Sequence, residues 1–187
     1  GSDDGLVNFS KDGGVCWKNV SGAFPKDLWV SRIVASQHKK ERVYVRLNGY
    51  RWDDFTTYIY VSDDYGTTWK NVGEEIPNSP VNVIREDQFD EQILYVGTDN
   101  GLYVSFNKGV SWEAFVKDFP AVAVHNIVIQ KPTNDLVIGT HGRSIYKTNL
   151  NVFKNYQNIK SKDIHIFAIP AISHSDSWGS SWSKWMP

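Results

Sequence analysis

An eight-residue pattern, Ser-x-Asp-x-Gly-x-x-Trp, occurs three times in this chain of 187 residues and constrains its fold more than any other feature. An alternating apolar run, residues 58–61, leads into the second copy, which predicts strand, tight turn, strand. The third copy has Asn in place of Asp. The fixed positions are Ser10, Asp12, Gly14 and Trp17 in turn 1, Ser62, Asp64, Gly66 and Trp69 in turn 2, and Ser105, Asn107, Gly109 and Trp112 in turn 3.

The residue types of this pattern suit a turn. The Asp carboxylate accepts hydrogen bonds from nearby backbone N–H groups, as in an Asx-turn. The Gly takes a positive φ that other residues resist. The Trp ring is expected to fold over the turn and become buried while its indole N–H finds an acceptor. We therefore predict that these positions hold turns rather than perform chemistry.

The spacing of the three turns predicts the architecture. Trp17, Trp69 and Trp112 are 52 and 43 residues apart. A self-similar unit of roughly 40–50 residues with several strands is typical of a propeller blade. Paired apolar runs fit the inner strands of successive blades, at residues 29–36 and 42–47, 81–87 and 93–98, and 122–129 and 136–140. The sequence therefore predicts an all-β fold, a β-propeller of four-stranded antiparallel sheets.

The number of blades predicts that this propeller is partial. Residues 1–150 supply one half blade, two full blades and one partial blade, about three to four in total, whereas propellers close with about four to eight. An open ring exposes an unpaired sheet edge, which proteins avoid. We expect the rest of a larger propeller, or another chain, to close it.

The pattern changes in residues 151–187. Residues 164–169 alternate like one more strand, and residues 173–185 are rich in Ser and contain three Trp. This composition predicts a linker or the edge of a further domain.

Composition excludes several function classes. The net charge of −1 does not provide the excess of positive charge that nucleic-acid binding needs, and no apolar run has the length of a membrane span. The single Cys16 excludes an intrachain disulfide, and a small buried role is expected for it. No metal-ligand spacing, phosphate-binding loop or nucleophile elbow is present, so neither metal nor cofactor is expected.

The repeated turn resembles the Asp-box, or bacterial neuraminidase (BNR) repeat, of sialidases, some endoglucanases and sortilin-type receptors. Residues 1–150 are also similar to large secreted bacterial proteins described as sortilin-like (VPS10-type) or glycosyl hydrolase-like. This resemblance implies that the turns are structural and that the protein is bacterial and extracytoplasmic, whether secreted, periplasmic or on the cell surface. It rests on Trp29-Val30-Ser31-Arg32-Ile33, Asn48-Gly49-Tyr50-Arg51-x-Asp53-Asp54, Tyr95-Val96-Gly97-Thr98-Asp99-x-Gly101-Leu102-Tyr103 and Gly139-Thr140-His141-Gly142-Arg143-Ser144.

A long loop, residues 48–56, is the first candidate site, because binding groups concentrate on long loops of rigid scaffolds. Tyr50 and Trp52 offer faces for a sugar ring, and Arg51 offers donors for hydroxyls. Asp53 and Asp54 are weak candidates for acid–base hydrolysis, since adjacent residues of an extended chain point in different directions. They are also weak candidates for calcium. The structural alternative is a loop held by an Arg–Asp pair, with Trp52 packed on a neighbouring blade.

His141, Arg143 and Arg32 form the second candidate site. They lie near the strands expected to line the central channel, where Arg could hold an anionic group with two hydrogen bonds. In the structural alternative, Arg143 bonds exposed carbonyls and Arg32 has a fixed partner. His125 is interpreted as a strand residue rather than a ligand. Sialidase activity is disfavoured because neither an arginine cluster nor a Tyr–Glu nucleophile pair can be assigned.

Three hypotheses for function follow. The first is a non-catalytic module that binds a peptide or glycan at the channel mouth. The second is part of a secreted glycoside hydrolase, which would need two carboxylates roughly 5–10 Å apart across a cleft. The third is a set of scaffold blades, with the function carried after residue 150.

Overall fold

The computed structural model describes residues 1–115, 119–153 and 156–167, and divides into two compact units, Gly1–Asn151 and Val152–Pro187. The strands of the described residues are β1 (Asn8–Phe9), β2 (Lys18–Asn19), β3 (Trp29–Ala35), β4 (Val43–Gly49), β5 (Asp54–Ser62), β6 (Lys70–Asn71), β7 (Val81–Glu86), β8 (Leu94–Thr98), β9 (Gly101–Ser105), β10 (Glu113–Ala114), β11 (Val124–Gln130), β12 (Asp135–Thr140) and β13 (Ile145–Asn149). Short 3₁₀ turns cover Ser21–Ala23, Tyr50–Trp52 and Leu150–Val152.

Each sheet of the first unit is built from strands that follow one another in the chain. β3 to β6 form one four-stranded antiparallel sheet, β7 to β10 a second, and β11 to β13 a three-stranded sheet. β1 pairs with β2 at the start of the chain. The sheets are successive blades, and the strands lie within a few residues of the predicted positions.

The apolar core lies between successive blades. One cluster joins residues around β1 and β2 to the next sheet and includes Val7, Val20, Phe24 and Leu47. A second joins that sheet to the following one through Tyr44, Ile59, Val81, Ile84 and Leu94. A buried aliphatic side chain contributes about 1.5–3 kcal/mol, so these seams hold the blades together.

A buried carboxylate reinforces the second seam. Glu86, at the end of β7, accepts hydrogen bonds from the Ser36 hydroxyl (2.8 and 2.9 Å), the Gln37 N–H (2.8 Å) and the Tyr44 hydroxyl (2.9 Å). Burial, followed by the Glu86 charge, raises the pKa of Tyr44, so its hydroxyl stays a donor. This network fixes β7 against the preceding blade.

Turns 2 and 3 have the predicted construction. In turn 2 the Ser62 hydroxyl accepts the Gly66 N–H at 2.8 Å, and Asp64 accepts the backbone N–H groups of Thr67 and Thr68 at 3.0 and 2.8 Å. In turn 3 Asn107 accepts the Ser111 N–H at 2.8 Å through its amide oxygen. The amide oxygen replaces a carboxylate oxygen here, so the turn does not require a charge.

Three local predictions are wrong. The loop over residues 48–56 is shorter than predicted, because β4 continues to Gly49 and β5 begins at Asp54. Cys16 is exposed, not buried. Residues 164–167 form no strand, and Ile164 and Ile166 are exposed.

The rest of the strand predicted over residues 164–169, and the Trp-rich stretch 173–185, lie outside the described residues. In the second unit the described part contains one short helix, Tyr156–Ile159.

Candidate functional site

A β-bulge occurs at the same place in the inner strand of three successive blades. The register shifts between Val30 and Arg32 in β3, between Val81 and Val83 in β7, and between Val124 and Asn126 in β11. Each bulge leaves one extra residue without a cross-strand partner, and bulges commonly re-aim a side chain. The extra residues are Ser31, Asn82 and His125, and all three line one pocket of about 560 Å³.

The residue before each bulge has a cross-strand partner in the second strand of its blade, and the residue directly after that partner also lines the pocket. Asn48, Asp99 and His141 occupy these equivalent positions in the three blades. The backbone fixes two of them in the same way, since Asp99 N–H donates to the Pro80 carbonyl at 3.1 Å and His141 N–H donates to the Ala123 carbonyl at 2.9 Å. We call this site the bulge pocket. The other lining residues are Trp29, Arg46, Tyr50 and Ala123.

The three blades give the bulge pocket three different chemistries. Asn48 accepts the Tyr50 N–H at 2.9 Å, and Ser31 lies beside it on the pocket wall. In the next blade the Asn82 amide donates to the Asp99 carboxylate at 2.7 Å. In the third, the rings of His125 and His141 lie 5.2 Å apart. The wall therefore changes from neutral hydroxyl and amide groups to a carboxylate and then to imidazoles.

The first candidate site contributes only part of its side chains to this pocket. Tyr50 lines it, and the Arg51 guanidinium stacks on the ring of Trp29, another lining residue, at 4.9 Å. Arg51 therefore contacts an aromatic ring instead of forming the Arg–Asp pair of the structural alternative. Trp52 is 58% exposed, so it is not buried against a neighbouring blade as that alternative predicts.

The adjacent carboxylates of the first candidate site have local contacts. Asp53 takes a left-handed conformation, φ 58°, at the end of the 3₁₀ turn. Asp54 accepts the Thr56 N–H at 3.0 Å and the Tyr58 hydroxyl at 2.9 Å. Burial opposes the charge of Asp54, but hydrogen bonds from Thr56 and Tyr58 outweigh it and lower its pKa.

Neither Asp53 nor Asp54 lines the bulge pocket, where Asp99 is the carboxylate. Over the described parts of the chain, no three His, Cys, Asp or Glu residues are placed to hold a metal ion.

Of the three residues of the second candidate site, one lines the bulge pocket and two do not. His141 lines the bulge pocket together with His125, which we interpreted only as a strand residue. Arg143 is exposed and is not among the lining residues. Arg32 is also exposed and lies directly opposite Arg46 across β3 and β4.

Arg46 is one of the lining residues that were not predicted from the sequence. It is 9% exposed, and its Nη1 donates to the Val81 carbonyl of the next blade, while its Nε is buried without a hydrogen-bond partner in the described structure. Burial, and then the charges of Arg32 and Arg85, lower the pKa of Arg46 to about 10. The available signal was an Arg inside the apolar run 43–47, because a buried charge needs a compensating partner.

The fold is shared with solved propeller proteins. YCF48 bound to D1 peptide matches with a TM-score of 0.56 and 14% identity, over 80% of this chain and 47% of that one. The GH74 xyloglucanase from Xanthomonas campestris matches with a TM-score of 0.58 and 16% identity, over 77% of this chain and 25% of that one. The extracellular domain of a putative one-component system from B. thetaiotaomicron matches with a TM-score of 0.54 and 17% identity, over 71% and 17%.

This chain spans less than half the length of each of these three structures, and likeness at such identities shows the fold alone. The prediction of an all-β, partial propeller is confirmed. No curated protein matches the sequence.

The class of protein is thus a β-propeller with a polar pocket where its inner strands bulge. The chain belongs to the Sortilin-Vps10 family, since the family model described as sortilin, neurotensin receptor 3, matches residues 57–184, more than half of the chain. The resemblance to sortilin-like proteins is confirmed.

Proposed function

We propose that this chain is a ligand-binding propeller module, non-catalytic in itself, that takes an oligosaccharide in the bulge pocket. The observation that carries the proposal is the convergence of Ser31, Asn82 and His125, one bulge residue from each blade, beside the aromatic rings of Trp29 and Tyr50. Hydroxyl, amide and imidazole groups bond sugar hydroxyls, and aromatic rings pack on the apolar face of a pyranose. A concave site with a few converging polar groups is the usual form of a ligand site.

The lining favours a sugar over a peptide. A peptide is generally held by side-chain pockets or an open strand edge. Among the described lining residues, Ala123 has the one aliphatic side chain. YCF48 binds a peptide and the GH74 neighbour is named as a xyloglucanase, so both ligand types occur on this fold.

The lining also favours binding over hydrolysis. A glycosidase needs two carboxyl groups across the sugar, about 5–10 Å apart. The described pocket wall contributes Asp99, whose carboxylate already accepts a hydrogen bond from Asn82. This supports a non-catalytic role for these blades.

An extracytoplasmic location fits this proposal. The neighbours include an extracellular domain, and no helix among the described residues is long and apolar enough to cross a membrane. We further propose that the blades belong to a ring that is closed by further blades of the natural protein or by another chain.

The test follows a panel of plant and host oligosaccharides by NMR, with and without the protein. Line broadening without new anomeric signals is expected. Tyr50→Ala should weaken binding by roughly tenfold or less, because one aromatic contact contributes about 0.5–1.5 kcal/mol. Phe55→Ala is the matched control, since Tyr50 and Phe55 are both 51% exposed but Phe55 does not line the pocket.

Two results would contradict the proposal. New anomeric signals during a long incubation would show hydrolysis. Equal loss of binding in Tyr50→Ala and Phe55→Ala would place the sugar outside the bulge pocket.

A further inference from the structure

We infer that the ligand of the bulge pocket is an acidic oligosaccharide whose uronate carboxylate binds the guanidinium of Arg46. The inference rests on the proposed function and names the chemical class of its ligand. It is carried by the environment of Arg46, where Arg32 and Arg85 add positive charge and the nearby carboxylate of Asp99 forms no ion pair with it.

Two buried arginines, Arg42 just before β4 and Arg46 within it, differ in the charged groups around them. Arg42, just before β4, is 2% exposed and lies near three carboxylates, with N–O distances of 2.6 Å to Asp63, 3.0 Å to Glu91 and 3.5 Å to Glu86. Arg46 is 9% exposed and forms no ion pair with any carboxylate of the described residues. Arg42 is therefore paired within the protein, whereas Arg46 has no ion pair among the described residues and Asp99 acts on it from a longer distance.

Like charges surround Arg46. Arg32 is its direct partner across β3 and β4, and like charges directly opposite each other destabilise a sheet. Arg85, on β7 of the next blade, adds to the positive potential while its Nε donates to the Ile127 carbonyl at 3.0 Å. A bound anion at Arg46 would reduce the repulsion from both neighbours.

The hydrogen-bonding capacity of Arg46 is also incomplete. Nη1 donates to the Val81 carbonyl, but Nε is buried and has no acceptor within the described parts of the chain. Native proteins pair the great majority of such buried donors. Arg46 lines the pocket, so a carboxylate bound there would supply a direct negative partner and accept N–H groups from the part of the guanidinium that faces the pocket.

The remaining lining residues select among anions. Asp99 also lines the pocket, and its repulsion grows with the charge of the ligand. A singly charged carboxylate is therefore favoured over a phosphate dianion. Trp29 and Tyr50 lie on the wall of the same pocket, which allows the ring that bears the carboxylate to pack on an aromatic face.

Isothermal titration calorimetry of the full chain with tetragalacturonate and with its methyl ester tests the inference without altering the protein. The two ligands differ in the charge and keep the same ring. We expect the acid to bind at least about tenfold more tightly than the ester, since hydrogen bonds to charged groups contribute about 1.5–3 kcal/mol.

The variant Arg46→Met keeps an unbranched apolar stem and removes the charge, so it should abolish the preference for the acid. The control Arg32→Met removes the exposed arginine opposite Arg46 and should lower that preference without abolishing it. A thermal unfolding curve of each variant checks folding. If Arg46→Met does not fold, Arg46→Lys retains the charge and loses the fork, and should lower the preference several-fold.

The outcomes separate the two proposals. Equal binding of acid and ester, or tighter binding of the ester, overturns the inference and leaves an oligosaccharide-binding module. Binding of a peptide with a free carboxylate, with no sugar bound, overturns the inference and the proposed sugar ligand together. Absence of binding to every neutral and acidic sugar does the same.

Discussion

Turn 1 and turns 2 and 3 have the same sequence pattern but different surroundings. The Trp69 indole N–H donates to the Val20 carbonyl at 3.2 Å, and the Trp112 N–H donates to the Val72 carbonyl at 2.7 Å. Both acceptors lie in the chain that leaves the preceding sheet. The Trp17 N–H instead donates to Gly14 of its own turn at 2.9 Å, and its ring is 65% exposed.

The difference shows what each part of the pattern does. The Ser side chain and the Asp or Asn side chain build all three turns from local bonds. In turn 1 Ser10 accepts the Gly14 N–H at 2.8 Å and Asp12 accepts the Cys16 N–H at 2.9 Å. The Trp is partly buried only where a preceding sheet supplies a surface, as for Trp69 and Trp112. Trp69 also packs edge-on against Phe24, at 4.9 Å between centroids. The prediction that each Trp is buried is wrong for Trp17.

Removing the indoles should give the largest contrast between the turns. Trp112→Ala should lower the free energy of unfolding by about 3 kcal/mol, the lower end of the range for buried Trp. Trp17→Ala should change it by roughly 0.5 kcal/mol or less, as for an exposed residue. Urea denaturation followed by circular dichroism measures both. Similar losses in the two variants would show that Trp17 is packed in solution.

The turn glycines should differ by a smaller amount. Gly109 and Gly14 both have positive φ, 80° and 96°. A Cβ on Gly109 would lie 2.9 Å from the Cβ of Val72 in the preceding sheet, whereas on Gly14 it would meet nothing nearer than Trp17 at 3.6 Å.

Gly14→Ala should therefore cost about 1–2 kcal/mol from backbone strain alone. Gly109→Ala should cost about 1–3 kcal/mol more, from the clash with Val72. Thermal unfolding of the two variants measures the difference. If Gly14→Ala proves the more damaging, then the packing of the preceding sheet does not distinguish the turns.

Lowering the pH should produce the smallest difference in stability between turns 1 and 2. Hydrogen bonds, chiefly from the Thr68 backbone N–H, lower the pKa of Asp64 to about 2, and those from the Cys16 N–H lower the pKa of Asp12 to about 2. A folded-state pKa below the unfolded value means that the stabilisation is present above about pH 4 and is lost as pH falls through 2.

Asp64→Asn should therefore flatten the fall in melting temperature between pH 4 and pH 2. Asp12→Asn should change it less, because turn 1 is not packed against a preceding sheet and is expected to unfold locally before the blades do. Turn 3 already has Asn107 and contributes nothing to this slope. A larger change in Asp12→Asn than in Asp64→Asn would contradict this prediction.

Much of the fold could be predicted because its signals are local. The turn pattern, the alternating runs and their spacing placed β3 to β5 and β7 to β9 within a few residues of their observed bounds. The loop before β5 was placed less well, since Asp54 is not a typical strand residue and joins β5 by pairing with Gly49 of β4.

The candidate site could be predicted only in part. Tyr50 and His141 were found because they stand in unusual turns. Ser31, Asn82 and His125 were not found, because a bulge has no fixed residue type and depends on the register between two strands. Arg46 was missed because its environment is formed by Arg32 across the sheet and Arg85 from the next blade.

The turns, the blade period and the all-β class follow from the sequence alone. They depend on hydrogen bonds between residues two to four apart and on alternating burial, and both involve residues that are close in the chain. Only the packing of the blades determines which Trp is partly buried, which residues meet in the bulge pocket and which buried arginine has no ion pair among the described residues. These depend on contacts between residues about 35 to 50 positions apart, such as Arg46 with Val81 and Trp69 with Val20, and only the packing of one blade on the next creates them.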